Sequence, residues 1–187
     1  MSAIEIAAAG LILLSVFLTV RRSLWLWPVG IVGTLLYAWV FLAAKLYFST
    51  GLQVFFLAVQ LYGWWFWLRG DRGEEPPIRA LGWARAWILL TVTAAAAAPL
   101  GWLAGQVTDA SASIPDAALT GLSVVAQVLL SRKVLENWLF WIVTDVIAVG
   151  AYAGQALYPT AGLYMVLLAM ACWGLWEWRA NFRARAA

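Results

Sequence analysis

Seven apolar stretches, each close to the length of a membrane-crossing helix, alternate with short polar breaks along the 187 residues of the chain. They fall at residues 3–20, 24–44, 50–68, 84–105, 115–130, 137–154 and 160–178. The hydrocarbon core of a bilayer takes about 20 apolar residues per helix, so each stretch is predicted to be a spanning α-helix. Among the breaks, residues 69–79 make the one hydrophilic loop of any length, with Gly70, Gly73, Pro76 and Pro77 among its charges, and solvent exposure is expected there. Residues 106–115 make a second, shorter connection. The first stretch carries Glu5, lacks a basic start and runs into Arg21-Arg22 and another apolar segment. That pattern is unlike a cleaved secretion signal, so the stretch is expected to remain in the mature protein.

Composition changes the picture from apolar helices to a membrane. Hydrophobic residues make up 65% of the chain and charged residues 11%, against about 25% charged in soluble domains. The expected fold class is therefore an all-α membrane protein with seven transmembrane helices, a single membrane domain over residues 1–187 with no room for a soluble one. Function must then lie among the helices. The chain has no histidine and one cysteine, Cys172, inside an apolar run. An intrachain disulfide is impossible, no metal-ligand spacing exists, and neither metal nor other cofactor is expected. Cys172 reads as packing.

Charge then orients the helices. Arg21 and Arg22 follow the first stretch, Arg69, Arg72, Arg79 and Arg85 the third, Arg132 and Lys133 the fifth, and Arg179, Arg183 and Arg185 the seventh. All of these fall on one side, and the other side has only Lys45 with Asp109 and Asp116. The positive-inside rule puts the N-terminus outside and the C-terminus in the cytoplasm. The net charge of +3 is then a topology signal, and nucleic-acid binding is not called for.

The chain also repeats itself at a single ungapped offset, the one that carries Trp27 onto Trp138. Leu46-Tyr47 and Gly51-Leu52 return as Leu157-Tyr158 and Gly162-Leu163; Gly63, Trp65 and Trp67 return as Gly174, Trp176 and Trp178. Each repeat covers three helices, residues 3–69 and 114–180, and residues 84–105 are left as a linker helix. Three is odd, so one extra crossing is needed for two units to share an orientation. The expected arrangement is 3+1+3 with parallel repeats, a plan known among transporters.

Where the repeats differ, candidate chemistry appears. Asn137 stands opposite Leu26, Trp141 opposite Gly30 and Asp145 opposite Thr34. An ionisable residue within a membrane segment normally faces protein or a water-filled cavity, which makes Asp145 a functional candidate. It lies about 12 Å into its helix, close to the middle of a core about 30 Å thick. Trp138, Trp141 and Asp145 are three and four residues apart and share a helix face continued by Ala148 and Tyr152. Glu136, beside Arg132 and Lys133, reads as a first-turn residue complementing its helix dipole.

Leu135-Glu136-Asn137-Trp138-Leu139-Phe140-Trp141 followed by Asp145, preceded by Ala126-Gln127 and Arg132-Lys133, resembles the Pnu family of vitamin transporters and its PnuC-type nicotinamide riboside branch. Leu52-Gln53-Val54-Phe55-Phe56 and Tyr62-Gly63-Trp64 are similar to that family's third span. The resemblance covers nearly the whole chain. It implies facilitated diffusion of a water-soluble vitamin precursor across a bacterial inner membrane, a fold like that of the sugar-transporting SWEETs, a homotrimer, and trapping of the product by a cytosolic vitamin kinase. Nicotinamide riboside is the expected substrate and thiamine the alternative. Trp173 stands where nicotinamide riboside members often carry Asn just before the seventh-span glycine, so the vitamin stays open at this point.

Both ligands pair a flat cationic ring with hydrogen-bonding groups. A cation over a Trp or Tyr face gains about 0.5–2 kcal/mol, and Trp138, Trp141, Tyr152, Tyr62, Trp64 and Trp173 are candidate surfaces. Gln53, Gln60, Gln127, Asn137 and Gln155 are candidate partners for hydroxyls or a carboxamide. The competing reading makes buried glutamines helix glue. Trp25, Trp27, Trp65, Trp67, Trp83, Trp87, Trp102, Trp176 and Trp178 read as interfacial belt or packing. Of the function classes, a uniporter with alternating access between repeats leads. A vitamin-binding subunit that needs an energising partner is second. An intramembrane enzyme is disfavoured, because without histidine and without paired carboxylates near mid-membrane a catalytic constellation is hard to assemble.

Overall fold

The computed structural model describes residues 3–43, 45, 47–70, 76–107 and 113–186. Among them are seven α-helices: α1 (Ala3–Val20), α2 (Leu26–Ala43), α3 (Tyr47–Arg69), α4 (Trp83–Val107), α5 (Ser113–Ser131), α6 (Asn137–Gly154) and α7 (Tyr158–Ala186). Five of these, α2, α3, α4, α6 and α7, are long and apolar enough to cross a membrane; α1 and α5 carry the shorter apolar stretches Ile6–Val20 and Asp116–Ser131. Large apolar side chains point outward along them, among them Trp39 at 64% exposure, Ile88 at 64% and Leu100 at 62%. Water would not tolerate such a surface, whereas lipid solvates it. The chain is a multi-pass, all-helical membrane protein.

α7 runs eight residues past its predicted end, because Ala and Arg after Trp178 are good helix formers and no Gly or Pro follows. Pro99 lies inside α4; it supplies no N–H to Ala95, yet the helix continues through it.

The chain divides into two compact units, residues 1–78 with 130–133, and residues 79–129 with 134–187. In the first, α1 packs on α2 and α2 on α3. Trp27 of α2 is fully buried and meets Trp67 of α3 edge to face, centroids 5.5 Å apart at 86°. α3 comes close here because Gly63 has no Cβ; one would overlap the Trp27 ring. Lys133 belongs to this unit, 2% exposed, with Nζ 4.5 Å from the Trp67 ring centroid. It is more than a topology signal: desolvation against an aromatic face strengthens a cation–π contact. In the second unit α6 packs on α7, with Trp138 against Trp178 at 5.6 Å and 86°, over Gly174. Leu122, Ala126 and Phe140 form its buried centre, with Leu89 and Leu90 of α4 packed against them.

The tryptophans predicted as belt or packing divide. Trp27, Trp67 and Trp178 are buried, while Trp25, Trp65, Trp87, Trp102 and Trp176 are exposed. Cys172 lies on an exposed face of α7 and does not pack inside, a correction to its reading above.

Four helices end on a residue in the left-handed region that is not glycine: Arg22, Lys45, Lys133 and Ala156, with φ of 57°, 59°, 58° and 59°. Around Ala156, its N–H donates to Ala153 O (3.0 Å) and that of Leu157 to Tyr152 O (2.9 Å), the two bonds of a Schellman end. A Cβ in this region is strained by about 1 kcal/mol. Ala156→Gly is accordingly expected to raise stability by about 0.5–1 kcal/mol, less the glycine's extra unfolded-state entropy, read as an upward shift of the thermal midpoint in detergent.

The 69–79 loop is only partly as expected. Residues 71–75 lie outside the described residues; Pro77 and Arg79 are exposed, but Pro76 and Ile78 are buried. Arg79 bridges Val134 in parallel, and Arg79 O accepts from Leu135 N–H at 2.8 Å. Glu136, 1% exposed, completes this contact: its carboxylate accepts from the N–H groups of Leu81 (2.8 Å) and Gly82 (2.9 Å), at the entrance to α4. Glu136 thus serves the N-terminus of α4 and makes no side-chain cap bond to its own helix, which corrects the first-turn reading. A carboxylate near a helix N-terminus is favoured by the dipole. Glu136→Ala removes the acceptor of two part-buried N–H groups, at about 1–3 kcal/mol for the pair, and a thermal midpoint below that of Glu136→Gln is the expected result.

Candidate substrate site

The twelve candidate residues fall into groups that the helices separate. Gln53, Gln60, Tyr62 and Trp64 are on α3 in the first unit; the others belong to the second. Gln60 is 7% exposed, and its Nε2 donates to Thr34 Oγ1 on α2 at 2.7 Å. Ser15 Oγ donates to Leu26 O at 3.0 Å and Thr19 Oγ1 to Ser15 O at 2.8 Å. These polar groups bond to one another and to backbone across three helices, so Gln60 acts as helix glue here. Tyr62 is exposed and stacked on Phe66, centroids 6.0 Å apart at 19°. Gln53 and Trp64 are half-buried.

On α6 the expected shared face divides by level. At its start, Asn137 is 0% exposed; Nδ2 donates to Val134 O at 2.7 Å, and Oδ1 has no partner among the described residues. Trp138 is enclosed between α6 and α7 by Gly174 and Trp178, so its ring faces are taken by packing. One turn on, Trp141 is half-buried and turned to Leu122, Ala126 and Phe140. Asp145 follows, 4% exposed, and no described residue donates a hydrogen bond to its carboxyl. Gln127, next to Ala126 on α5, is 9% exposed and equally without a described partner. Buried polar groups in proteins are bonded in the great majority of cases. Neither Asp145 nor Gln127 has such a bond among the described residues.

Toward the far end of α6, Tyr152 stacks on Tyr164 of α7, centroids 5.3 Å apart at 22°. Gln155 is exposed at the helix end and donates to Ala151 O at 3.2 Å. Trp173 on α7 is 38% exposed. The mid-helix level therefore holds Trp141 and Asp145, with Asn137 about 12 Å from Asp145 along α6. Sequence reasoning did not single out Tyr164, the repeat counterpart of Gln53, which the structure stacks on Tyr152. Glu5's side chain and Asp109 lie outside the described residues.

Residues 2–180 match the family model described as nicotinamide mononucleotide transporter. The chain belongs to the nicotinamide mononucleotide transporter family. Within it, the chain is similar to the nicotinamide riboside transporter PnuC of Escherichia coli, 31% identical over 185 residues, covering 84% of this chain and 77% of the relative. It is also similar to the riboflavin/roseoflavin transporter RibM of Streptomyces davaonensis, 28% identical over 170 residues, covering 89% and 79%. Among solved structures, the crystal structure of the vitamin B3 transporter PnuC shares the fold with a TM-score of 0.74 at 22% identity, covering 97% of this chain and 82% of that one. Members of the nicotinamide mononucleotide transporter family are transporters, and the chain is a membrane transporter and not an enzyme.

Proposed function

We propose that this transporter carries nicotinamide riboside down its gradient by alternating access, with Asp145, Trp141 and Gln127 as the central binding groups. The observation that carries the reading is the buried Asp145 carboxyl without a donor, one turn from a half-buried tryptophan. A cationic pyridinium ring on Trp141 and ribose hydroxyls donating to Asp145 would complete both. The PnuC relative supports this substrate. The RibM relative favours a second reading, a larger vitamin with a flat ring. Asn137, Tyr152, Gln155 and Trp173 are proposed as further substrate contacts of the second unit and Gln53, Tyr62 and Trp64 as substrate contacts of the first, while Trp138 serves the frame between α6 and α7.

The architecture proposed is seven spans in a 3+1+3 duplication, residues 3–69 and 114–180 about a linker helix at 84–105, with a SWEET-like fold. Local geometry at corresponding positions of the two repeats supports it. Arg22 and Lys133 both take left-handed φ, as do Lys45 and Ala156. The Trp27–Trp67 and Trp138–Trp178 pairs have centroids 5.5 Å and 5.6 Å apart, each at 86°. The protein is further proposed to sit in a bacterial inner membrane as a homotrimer, N-terminus outside, with a cytosolic kinase trapping the vitamin.

Liposomes holding only this protein test the transport reading. Saturable counterflow of radiolabelled nicotinamide riboside is expected, with thiamine and riboflavin as comparators. Transport of riboflavin alone would replace the substrate, and accumulation driven by a pH gradient would replace the uniport mechanism.

A further inference from the structure

The α2–α3 and α6–α7 seams are built on the same anchor, a tryptophan meeting another edge to face at 86° over a glycine. Three residues before those glycines stand Gln60 in one seam and Ala171 in the other. Gln60 reaches back over Gly30: its Oε1 lies 2.7 Å from where a Cβ on Gly30 would sit, and Ser15 Oγ lies 2.9 Å from the same point. Its amide closes on Thr34 at 2.7 Å. Gln60, Gly30, Ser15 and Thr34 make a closed set, a long donor laid across bare backbone onto a hydroxyl.

All four are exchanged in the second repeat: Gln60 for Ala171, Gly30 for Trp141, Ser15 for Ala126, Thr34 for Asp145. Volume moves from the α3 position to the α2 position, and the acceptor becomes a carboxyl as its donor disappears. Ala171 and Ala126 are 2% and 0% exposed, and the Trp141 ring packs against Ala126.

We propose that Ala171 is a positioning residue of the substrate site, acting through Asp145 and Trp141. Its short side chain withholds from Asp145 the donor that Gln60 gives Thr34, and leaves the Trp141 ring the space that Gln60 fills over Gly30. The seam is thereby kept from closing on itself and stays available to a flat heteroaromatic ligand that brings a hydroxyl, an amide N–H or a positive charge to the carboxyl. This rests on the reading of Asp145 as a binding group.

Dicyclohexylcarbodiimide tests it without ligand. The reagent adds a carboxyl O–H across one C=N bond to give an O-acylisourea, which passes its acyl group from oxygen to nitrogen to leave a stable N-acylurea with no group lost, and a carboxyl held by an amide donor reacts more slowly. Labelling of the full chain in liposomes is read by mass spectrometry at Asp145. Asp145 is expected to label in the unaltered protein and in Trp141→Gly. Trp141→Gly with Ala171→Gln, which rebuilds the closed set, is expected to label about tenfold less, while Trp141→Gly with Ala171→Met, of similar bulk but without a donor, stays within about twofold of Trp141→Gly. Equal labelling of the two double variants overturns the proposal, and so does an unreactive Asp145 in the unaltered protein, an arm that needs no variant to fold. Absence of nicotinamide riboside binding together with the expected labelling pattern would instead remove the substrate reading and leave this one standing.

Discussion

Asp145→Ala is expected to weaken nicotinamide riboside binding by about 10- to 100-fold, the worth of about 1.5–3 kcal/mol for a hydrogen bond to a charged group, without lowering the thermal midpoint. Titration calorimetry in detergent reads the first and a melting curve the second. The two move apart because no described residue bonds to this carboxyl. Alanine therefore strands no partner and removes a desolvation cost. The corresponding position behaves oppositely. Thr34 accepts the Gln60 amide, so Thr34→Ala leaves a buried donor unmet and is expected to lower the midpoint with little effect on affinity. An Asp145→Ala protein that binds as well as the unaltered one would put the substrate at another level of the helices.

Gly174→Ala should produce a large loss of stability from a single added methyl. A Cβ there would stand 2.5 Å from Trp138 ring atoms. The ring cannot easily yield, because Trp138 is 1% exposed and Trp178 is set edge-on to it at 5.6 Å. Overpacking of this kind costs about 1–3 kcal/mol. A midpoint several degrees below that of the unaltered protein is expected, largely recovered when Trp138→Leu is added. Gly150→Ala is the control. Nothing lies within 4 Å of a Cβ at that position, and alanine's better helix propensity makes it neutral or mildly stabilising. A midpoint for Gly174→Ala equal to that of the control would mean that α6 and α7 do not meet on this tryptophan.

Much of this was legible in the chain because bilayer solvation acts on composition and length. The predicted stretches at 3–20 and 137–154 coincide with α1 and α6, and the others differ by a few residues except at the end of α7. A cluster of polar residues in apolar sequence marked α6, since membrane segments retain such groups only where something repays their cost. What each polar group touches was not legible. Lys133 and Glu136 looked like surface charges at a membrane edge, and both are buried, one over Trp67 and the other on backbone N–H groups of residues far earlier in the chain. Contacts of that range depend on which loops the packed helices bring together, and no local period records them.

The sequence by itself determined a multi-pass helical membrane transporter of the nicotinamide mononucleotide family, the helix positions and the helix that carries the exceptional carboxylate. Hydropathy, helix length and residue-type motifs are properties of short segments, and they survive without knowledge of packing. Only the tertiary structure decided which of the candidate side chains are already engaged. Gln60 and Trp138, suitable ligand groups by type, are held by Thr34 and by Gly174 with Trp178, whereas Asp145 and Gln127 are buried and unbonded among the described residues. A hydrogen bond is a matter of tenths of an ångström between helices distant in sequence, and that is why the difference between engaged and unengaged side chains appears only once the helices are packed.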